Sequence, residues 1–236
     1  PYIIDFSKYG VPQRRNRFIL VGVQESIGTP DKFEAMLESY KDSFLRKKGL
    51  TANTTLCEAI SDLLQSNGEI PTPDRKGFKS GIYGIEESNY QKLLRGDYVE
   101  NHIVPDSHSF AKHTEDKSTC YKNLLANYEI RGKRIDGDAR KKWNIKQRSI
   151  TILDPNTISP TITGHPDDYL HYCEPRIMTV RECARIQSFP DWYEIKKKYT
   201  TGGKMRKIEV PRYTQVGNAI PPLFAELAGI VLKQII

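Results

Sequence analysis

The run Phe18-Ile19-Leu20-Val21, followed by Gly22-Val23, constrains the fold of this chain most. It is continuously apolar, the pattern of a strand covered on both faces in a layered α/β architecture. Directly before it stand Gln13, Arg14, Arg15, Asn16 and Arg17. With "YIIDF" leading in and "GVPQRR" turning, residues 1–24 read as a hairpin-like unit of two short strands around a polar bend. Three arginines and a glutamine therefore sit at the edge of a core. From the residues alone, they pair with acidic groups on a solvated edge or they face an anionic ligand.

Helices are expected at four places. In "DKFEAMLESYKDSFLRKK", Phe33, Leu37, Tyr40 and Phe44 fall at helical spacing, and Asp31 with Glu34 fits an N-terminal cap. In "TLCEAISDLLQ", Thr55 and Glu58 form a capping box ahead of a stripe of Leu56, Ile60, Leu63 and Leu64. "TVRECARIQSF" repeats the device with Thr179 and Glu182, with Cys183, Ala184 and Phe189 toward the core and Pro190 as the stop. Glu182 is thus read as a cap and not as a catalytic acid, and the segment as scaffold. After Pro221 and Pro222 comes a helix apolar on nearly every side, which must dock into a core beside the opening hairpin. Between about residues 66 and 150 the pattern loosens into Gly, Pro, Asn, Asp and Ser with scattered tyrosines, read as short strands and loops.

The chain has 236 residues, enough for one large or two small domains. Its net charge of +7 favours a polyanionic partner, nucleic acid above all. The basic groups concentrate in 131–148: Lys133, Arg134, Arg140, Lys141, Lys142, Lys146 and Arg148. No apolar run reaches the length of a membrane span, and no signal-peptide pattern opens the chain. Four cysteines without a CxxC pairing read as reduced thiols of a cytoplasmic protein. His108, His113 and Cys120 share a polar stretch, but their spacing matches no zinc pattern, and no metal is expected. The first residue is Pro1, so the chain is expected to begin inside a longer gene product.

Three blocks, in order, carry a resemblance. "GVPQRRNR" resembles the Q-x-R-x-R block of DNA cytosine-5 methyltransferases, the eighth in that family's usual order. "RIMTVRECARIQSFPD" (176–191), with the preceding "SPTIT", is similar to the ninth, and "YTQVGNAIPP" (213–222) to the tenth. The long insert between eighth and ninth lies where the family keeps its target-recognition region.

The resemblance implies an α/β fold: the C-terminal remnant of a Rossmann-like, S-adenosylmethionine-dependent methyltransferase sheet plus a mixed α+β target-recognition domain. Residues 1–50 would end the catalytic domain, 51–208 form the recognition domain, and 209–236 return to the catalytic domain. Such enzymes swing a cytosine out of duplex DNA, and the extruded nucleotide needs fixed donors for its carbonyl and phosphate. Arginine supplies a rigid fork of N–H groups that keeps its charge. By resemblance, Arg15 and Arg17 take these roles with Gln13 nearby, while Arg14 meets a phosphate or solvent. Asn218 and Ala219, beside Gly217, fall at the wall of the S-adenosylmethionine pocket, where an ordinary helix-start turn is the alternative. The basic groups of 131–148 would neutralise phosphates, while about half of them serve only as solvated surface.

The family's Pro-Cys-Gln nucleophile block, its F-x-G-x-G cofactor loop and its Glu-Asn-Val block do not occur here. Covalent attack needs that thiolate. The chain is therefore expected to be the C-terminal portion of a bacterial, DNA-associated restriction–modification methyltransferase, inactive without its missing N-terminal catalytic half. The alternatives are the recognition subunit of a split enzyme and a non-catalytic DNA-binding protein. A sheet face left bare by the missing half is expected to favour self-association.

Overall fold

The computed structural model describes residues 2–26, 28, 30–147, 149–201, 205 and 208–235, the side chains of 99–101 aside. It is a mixed α/β structure organised around two hydrophobic clusters.

The opening unit forms as the expected two-stranded hairpin. Strands β1 (Tyr2–Asp5) and β2 (Asn16–Ile19) pair antiparallel, with Ile4 opposite Arg17 and Tyr2 opposite Ile19. Between them a 3-10 turn, Phe6–Tyr9, is capped by Asp5, whose carboxylate accepts the Ser7 N–H, and closed by Gly10 at φ 78°. Gly10 is required twice over: its φ is left-handed, and a Cβ there would lie 2.7 Å from Leu45 Cδ2. Only one face of this ribbon is covered. Ile4 is buried, but Ile3, Phe18 and Leu20 are 77%, 65% and 73% exposed. The apolar run of β2 suggested burial on both faces. Here the second face has no layer packed on it.

The covered face packs on two helices. Helix α1 (Phe33–Lys47) buries Phe33, Leu37 and Phe44 on the expected stripe. Its N-cap is Lys32 rather than Asp31, because Pro30 starts a 3-10 turn that carries Asp31 past the cap position. The final helix, Pro222–Ile235, buries Leu223, Phe224, Leu227 and Val231 and lies against α1. Phe224 sits between Phe6 and Tyr9, with ring centroids 4.5 and 5.3 Å away. The two ends of the chain are thus joined through one aromatic cluster.

The intervening chain is more helical than its composition suggested. The expected box on α2 (Leu56–Ile60) forms, with Thr55 and Glu58 bonded reciprocally. A short hairpin follows, β3 (Glu69–Pro71) with β4 (Lys79–Gly81). Then come α3 (Asn89–Arg95), α4 (Glu115–Asn127) and α5 (Gly137–Lys142), where strands and loops were expected. Each covers little core: α4 fully buries only Tyr121 and Leu124. Such narrow stripes leave no strong 3.6-residue periodicity. A three-stranded sheet, in the order β5 (Arg134–Ile135), β6 (Ile150–Ile152), β7 (Tyr169–Leu170), covers α4 and closes the smaller cluster. β6 runs antiparallel to β5 and parallel to β7.

Helix α6 (Val180–Ile186) is the keystone. All seven of its residues are buried, including Arg181, Glu182 and Arg185. Thr179 and Glu182 make the expected capping box. Glu182 also takes both terminal nitrogens of Arg176, at 2.9 and 2.6 Å. Arg185 bonds Asp191 at 2.6 Å through two nitrogens and reaches Asp62 at 3.1 Å. Arg95 also contacts Asp62, and Arg181 binds Asp106 at 3.0 Å. Buried ions are tolerable only when matched in this way, and removing one partner strands the other. The network ties α2, α3 and α6 into one body. Helix α7 (Arg212–Asn218), not expected from the sequence, precedes the final helix α8 (the Pro222–Ile235 helix above). No single helix among the described residues is long and apolar enough to cross a membrane.

Candidate functional site

Three segments distant in sequence meet at one place: the arginine block, residues 159–164, and the Gly217-Asn218-Ala219 turn. The block runs parallel to 159–161 through one isolated β-bridge, Gln13 with Ser159. Arg14 N–H donates to Ser159 O at 2.8 Å, Ser159 N–H to Pro12 O at 3.0 Å, and Thr161 Oγ1 to Arg14 O at 2.6 Å. Gln13 is fully buried, and its Oε1 accepts the Ile162 N–H at 2.7 Å.

The two arginines of the block differ sharply. Arg15 is 1% exposed. Its Nη1 donates to Ile162 O at 3.1 Å, and its Nη2 to Gly217 O at 2.7 Å and Ala219 O at 3.3 Å. One guanidinium thus clamps the other two segments to the block. Burial, and secondarily the charge of Arg17, push its pKa from 12.5 down to about 10, so it stays protonated at neutral pH. Arg17 is half-buried at the ribbon's edge; its Nη1 donates to Asn16 O at 2.7 Å. No carboxylate lies within ion-pair distance of Arg17 among the described residues. Arg14 is exposed.

The Gly217-Asn218-Ala219 turn ends α7 rather than opening a helix. Gly217 is needed for close approach, not for an unusual φ. A Cβ there would lie 2.6 Å from Gly164 N and from Thr163 C. The preceding residue, Val216, accepts the buried Gln187 Nε2 at 2.9 Å, which fixes the turn to α6. Asn218 is exposed, and its carboxamide has no partner among the described residues. A free amide on a rigid turn, beside backbone approached this closely, fits a ligand that offers both donors and acceptors.

Beside this junction opens a cleft of about 810 Å³. Arg134, Gln147 and Ser149 from around the β5-β6-β7 sheet line it together with His165 and Thr214. Of the basic groups expected to meet DNA, Arg134 lines this cleft. Lys142 and Lys146 line a second one of about 730 Å³, with Lys117, Trp143 and Asn144. Lys133 and Lys141 are exposed, Lys141 3.5 Å from Asp138, and Arg140 is half-buried. Arg148 lies outside the described residues.

The histidines and cysteine considered for metal are directed elsewhere. His108 bonds Thr179 Oγ1 and Leu63 O, His113 accepts from Ile177 N–H, and Cys120 faces Trp143 O. A different set, His171, Glu174 and Glu182, brings its ligand-type atoms within 4.8 Å of one another. The Arg176 guanidinium occupies that set, bonded to both carboxylates.

The fold is similar to that of a prophage-encoded E. coli protein assigned as a DNA modification methyltransferase. Its TM-score is 0.58 at 17% identity, over 99% of this chain and 59% of that one. That likeness is one of fold. The C-5 cytosine-specific DNA methylase profile matches residues 1–235, and the chain belongs to that family. The Type II methyltransferase M.Bpa9945I of Bacillus paralicheniformis is 27% identical over 99% of this chain and 50% of its own length. The Type II methyltransferase M.AquIB of Picosynechococcus is 43% identical over 88 residues, 36% of this chain and 63% of that relative. The chain spans about half the length of most curated relatives it matches. Enzymes of this family draw their methyl group from S-adenosylmethionine.

Proposed function

We propose that this chain is the DNA-reading, C-terminal portion of a methyltransferase that acts on carbon-5 of cytosine in a specific duplex sequence. The observation that carries the reading is the Arg15 clamp. It locks the base-side strand, the 159–164 segment and the cofactor-side turn into one rigid unit. Arg17, half-buried and without a carboxylate partner, holds the carbonyl or phosphate of the extruded nucleotide. Arg15 and Gln13 hold the strand that presents it and do not touch the base. Asn218 and the Ala219 backbone form one wall of the S-adenosylmethionine site, and that cofactor supplies the methyl group. Lys133, Arg134, Arg140, Lys141, Lys142 and Lys146 surround the recognition sheet, where phosphates of the duplex would lie.

The nucleophilic thiolate must come from residues outside this chain. All four cysteines here lack the family's Pro-Cys-Gln setting. Cys120, Cys173 and Cys183 also have pKa values raised by burial, opposite to what a nucleophile needs. The bare face of Ile3, Phe18 and Leu20 is where the remaining catalytic sheet packs in this reading. The residues 1–50 and 209–236 then belong to a Rossmann-like catalytic domain, and 51–208 to the recognition domain.

One observation favours a second arrangement, in which two chains share the enzyme. The 88 aligned residues make up 63% of M.AquIB, so that relative is itself shorter than this chain. The test covers both. This chain is mixed with a polypeptide carrying the Pro-Cys-Gln and Glu-Asn-Val blocks, and methyl transfer from labelled S-adenosylmethionine to duplex DNA is followed. Transfer only in the mixture supports the reading. DNA binding with no transfer in any combination leaves a non-catalytic binding protein instead.

A further inference from the structure

The cleft beside the Arg15 junction contains one imidazole. Most polar groups around it are committed. Gln147 Nε2 donates to Tyr121 OH at 3.1 Å, Thr163 Oγ1 to Asp168 at 2.9 Å, and Asp167 pairs with Lys117 at 2.7 Å. His165 is exposed at the cleft, and neither ring nitrogen has a partner among the described residues.

The loop that carries it is stiff. His165 N–H donates to Thr163 Oγ1 at 3.2 Å, and Asp168 N–H to His165 O at 3.3 Å. Pro166 fixes the next φ. Gly164 is pressed against the end of the chain: a Cβ on it would meet Thr214 Cα at 3.1 Å, and one on Gly217 would meet Gly164 N at 2.6 Å. The backbone that carries the imidazole is therefore held in register with the Gly217-Asn218 turn and with Ile162, which Arg15 clamps. A free donor on a preorganised loop loses little entropy on binding.

We propose that His165 is a specificity-determining residue that donates to the N7 of a purine in the major groove, close to the target cytosine. This rests on the reading that the chain recognises duplex DNA. A neutral imidazole offers one N–H, and both purines present N7 as an acceptor in that groove. The reach follows from chain geometry. His165 stands three residues from Ile162, at most about 10 Å of extended backbone. That span equals about three base steps at about 3.4 Å per base along a strand, and the proposal places the position read within that window of the nucleotide beside the clamp.

The experiment uses the assembled methyltransferase on a pool of duplexes, each with a cytosine flanked by randomised positions. Methylation is read by bisulfite sequencing. The unaltered enzyme should favour a purine at one position in that window. His165→Ala should weaken that preference at least about fivefold and leave the other positions alone. His165→Gln, whose amide keeps a donor, should retain part of it. The KM for S-adenosylmethionine should not change in either variant. An unchanged preference, or an equal loss at every position, overturns the proposal. An unaltered enzyme that methylates no duplex overturns the DNA-methyltransferase reading itself.

Discussion

Mild acid should destabilise this fold, chiefly through two fully buried histidines; His113, lowered by burial to about 4 as well, is only half-buried and adds less. His108 and His171 are fully buried. His108 lies between Leu63 O at 2.9 Å and Thr179 Oγ1 at 2.8 Å, so Nε2 carries the proton and Nδ1 accepts the hydroxyl. His171 Nδ1 accepts the N–H groups of Cys173 and Glu174 at 3.3 and 3.2 Å. A proton on His171 Nδ1 would face two N–H groups already in place, and one on His108 Nδ1 would force the Thr179 hydroxyl to turn round. Burial, the largest cause, lowers His108 from 6.5 to about 4 and His171 to about 3; Arg176 adds to both, and Glu182 opposes. These are bases with lowered folded values, so the unfolded chain binds the extra protons. Their contribution is complete above about pH 6.5 and is lost as the pH falls toward 4 and 3. At pH 5, 1.5 below the ordinary value, each histidine costs about 2 kcal/mol, and the pair about 4, at 1.36 kcal/mol per pH unit. Total stability for a domain is only about 5–15 kcal/mol. Glu182 and Asp191, held below ordinary carboxylate values chiefly by Arg176 and Arg185 against the cost of burial, lose their contribution only at lower pH. Glu174, raised by burial, works weakly the other way. Urea unfolding followed by circular dichroism at pH 7.5, 6 and 5 should show the midpoint falling by about 1.3–2 M between pH 7.5 and 5 for an m of about 2–3 kcal/mol/M. His171→Gln should be less stable at pH 7.5 and flatter with pH. A wild-type stability at pH 5 within about 1 kcal/mol of that at pH 7.5 would refute the reasoning.

Four further outcomes follow from the same contacts. In the assembled enzyme, Arg17→Ala should lower kcat about 10²–10³-fold, as loss of a transition-state donor does, with DNA affinity changed less than about tenfold; equal losses in both would place Arg17 on the backbone only. Arg15→Ala strands the carbonyls of Ile162, Gly217 and Ala219, so stability should fall by about 3 kcal/mol and the KM for S-adenosylmethionine rise, with Arg15→Lys recovering part of each. Gly217→Ala would ordinarily stabilise a helix by about 1 kcal/mol. With backbone 2.6 Å from the new Cβ it should destabilise instead, seen as a lowered Tm. Phe18→Lys should reduce self-association of the isolated chain in sedimentation velocity without lowering its Tm, since Phe18 is 65% exposed.

What the sequence makes legible here is what a few neighbouring residues decide. The boxes at Thr55–Glu58 and Thr179–Glu182 are complete within four residues, and both form. The stripe of α1 and the apolar final helix lie where their spacing puts them. Helix α3 had the same signal, a Ser88–Gln91 box, which the loop-like composition around it obscured. Helix α7 has no such mark, since its N-cap is Pro211 without a side-chain bond. The division of labour between Arg15 and Arg17 is decided by Ile162 and Gly217, 147 and 202 residues from Arg15, and no local pattern contains it. The apolar run at Phe18–Val21 is the instructive disagreement. Its composition is that of a strand covered twice, yet Phe18 and Leu20 face outward. An exposed apolar face of this kind marks a surface that meets another layer. In the proposed function that layer is the rest of the catalytic sheet, so the misfit between composition and burial, and the position of Arg17 at the same ribbon's edge, have one cause. The strand that would hold the extruded cytosine is also the strand on which the two halves of the enzyme join. On that account, adding the catalytic half should protect the β2 amides from hydrogen exchange, and unchanged exchange there would separate the two roles.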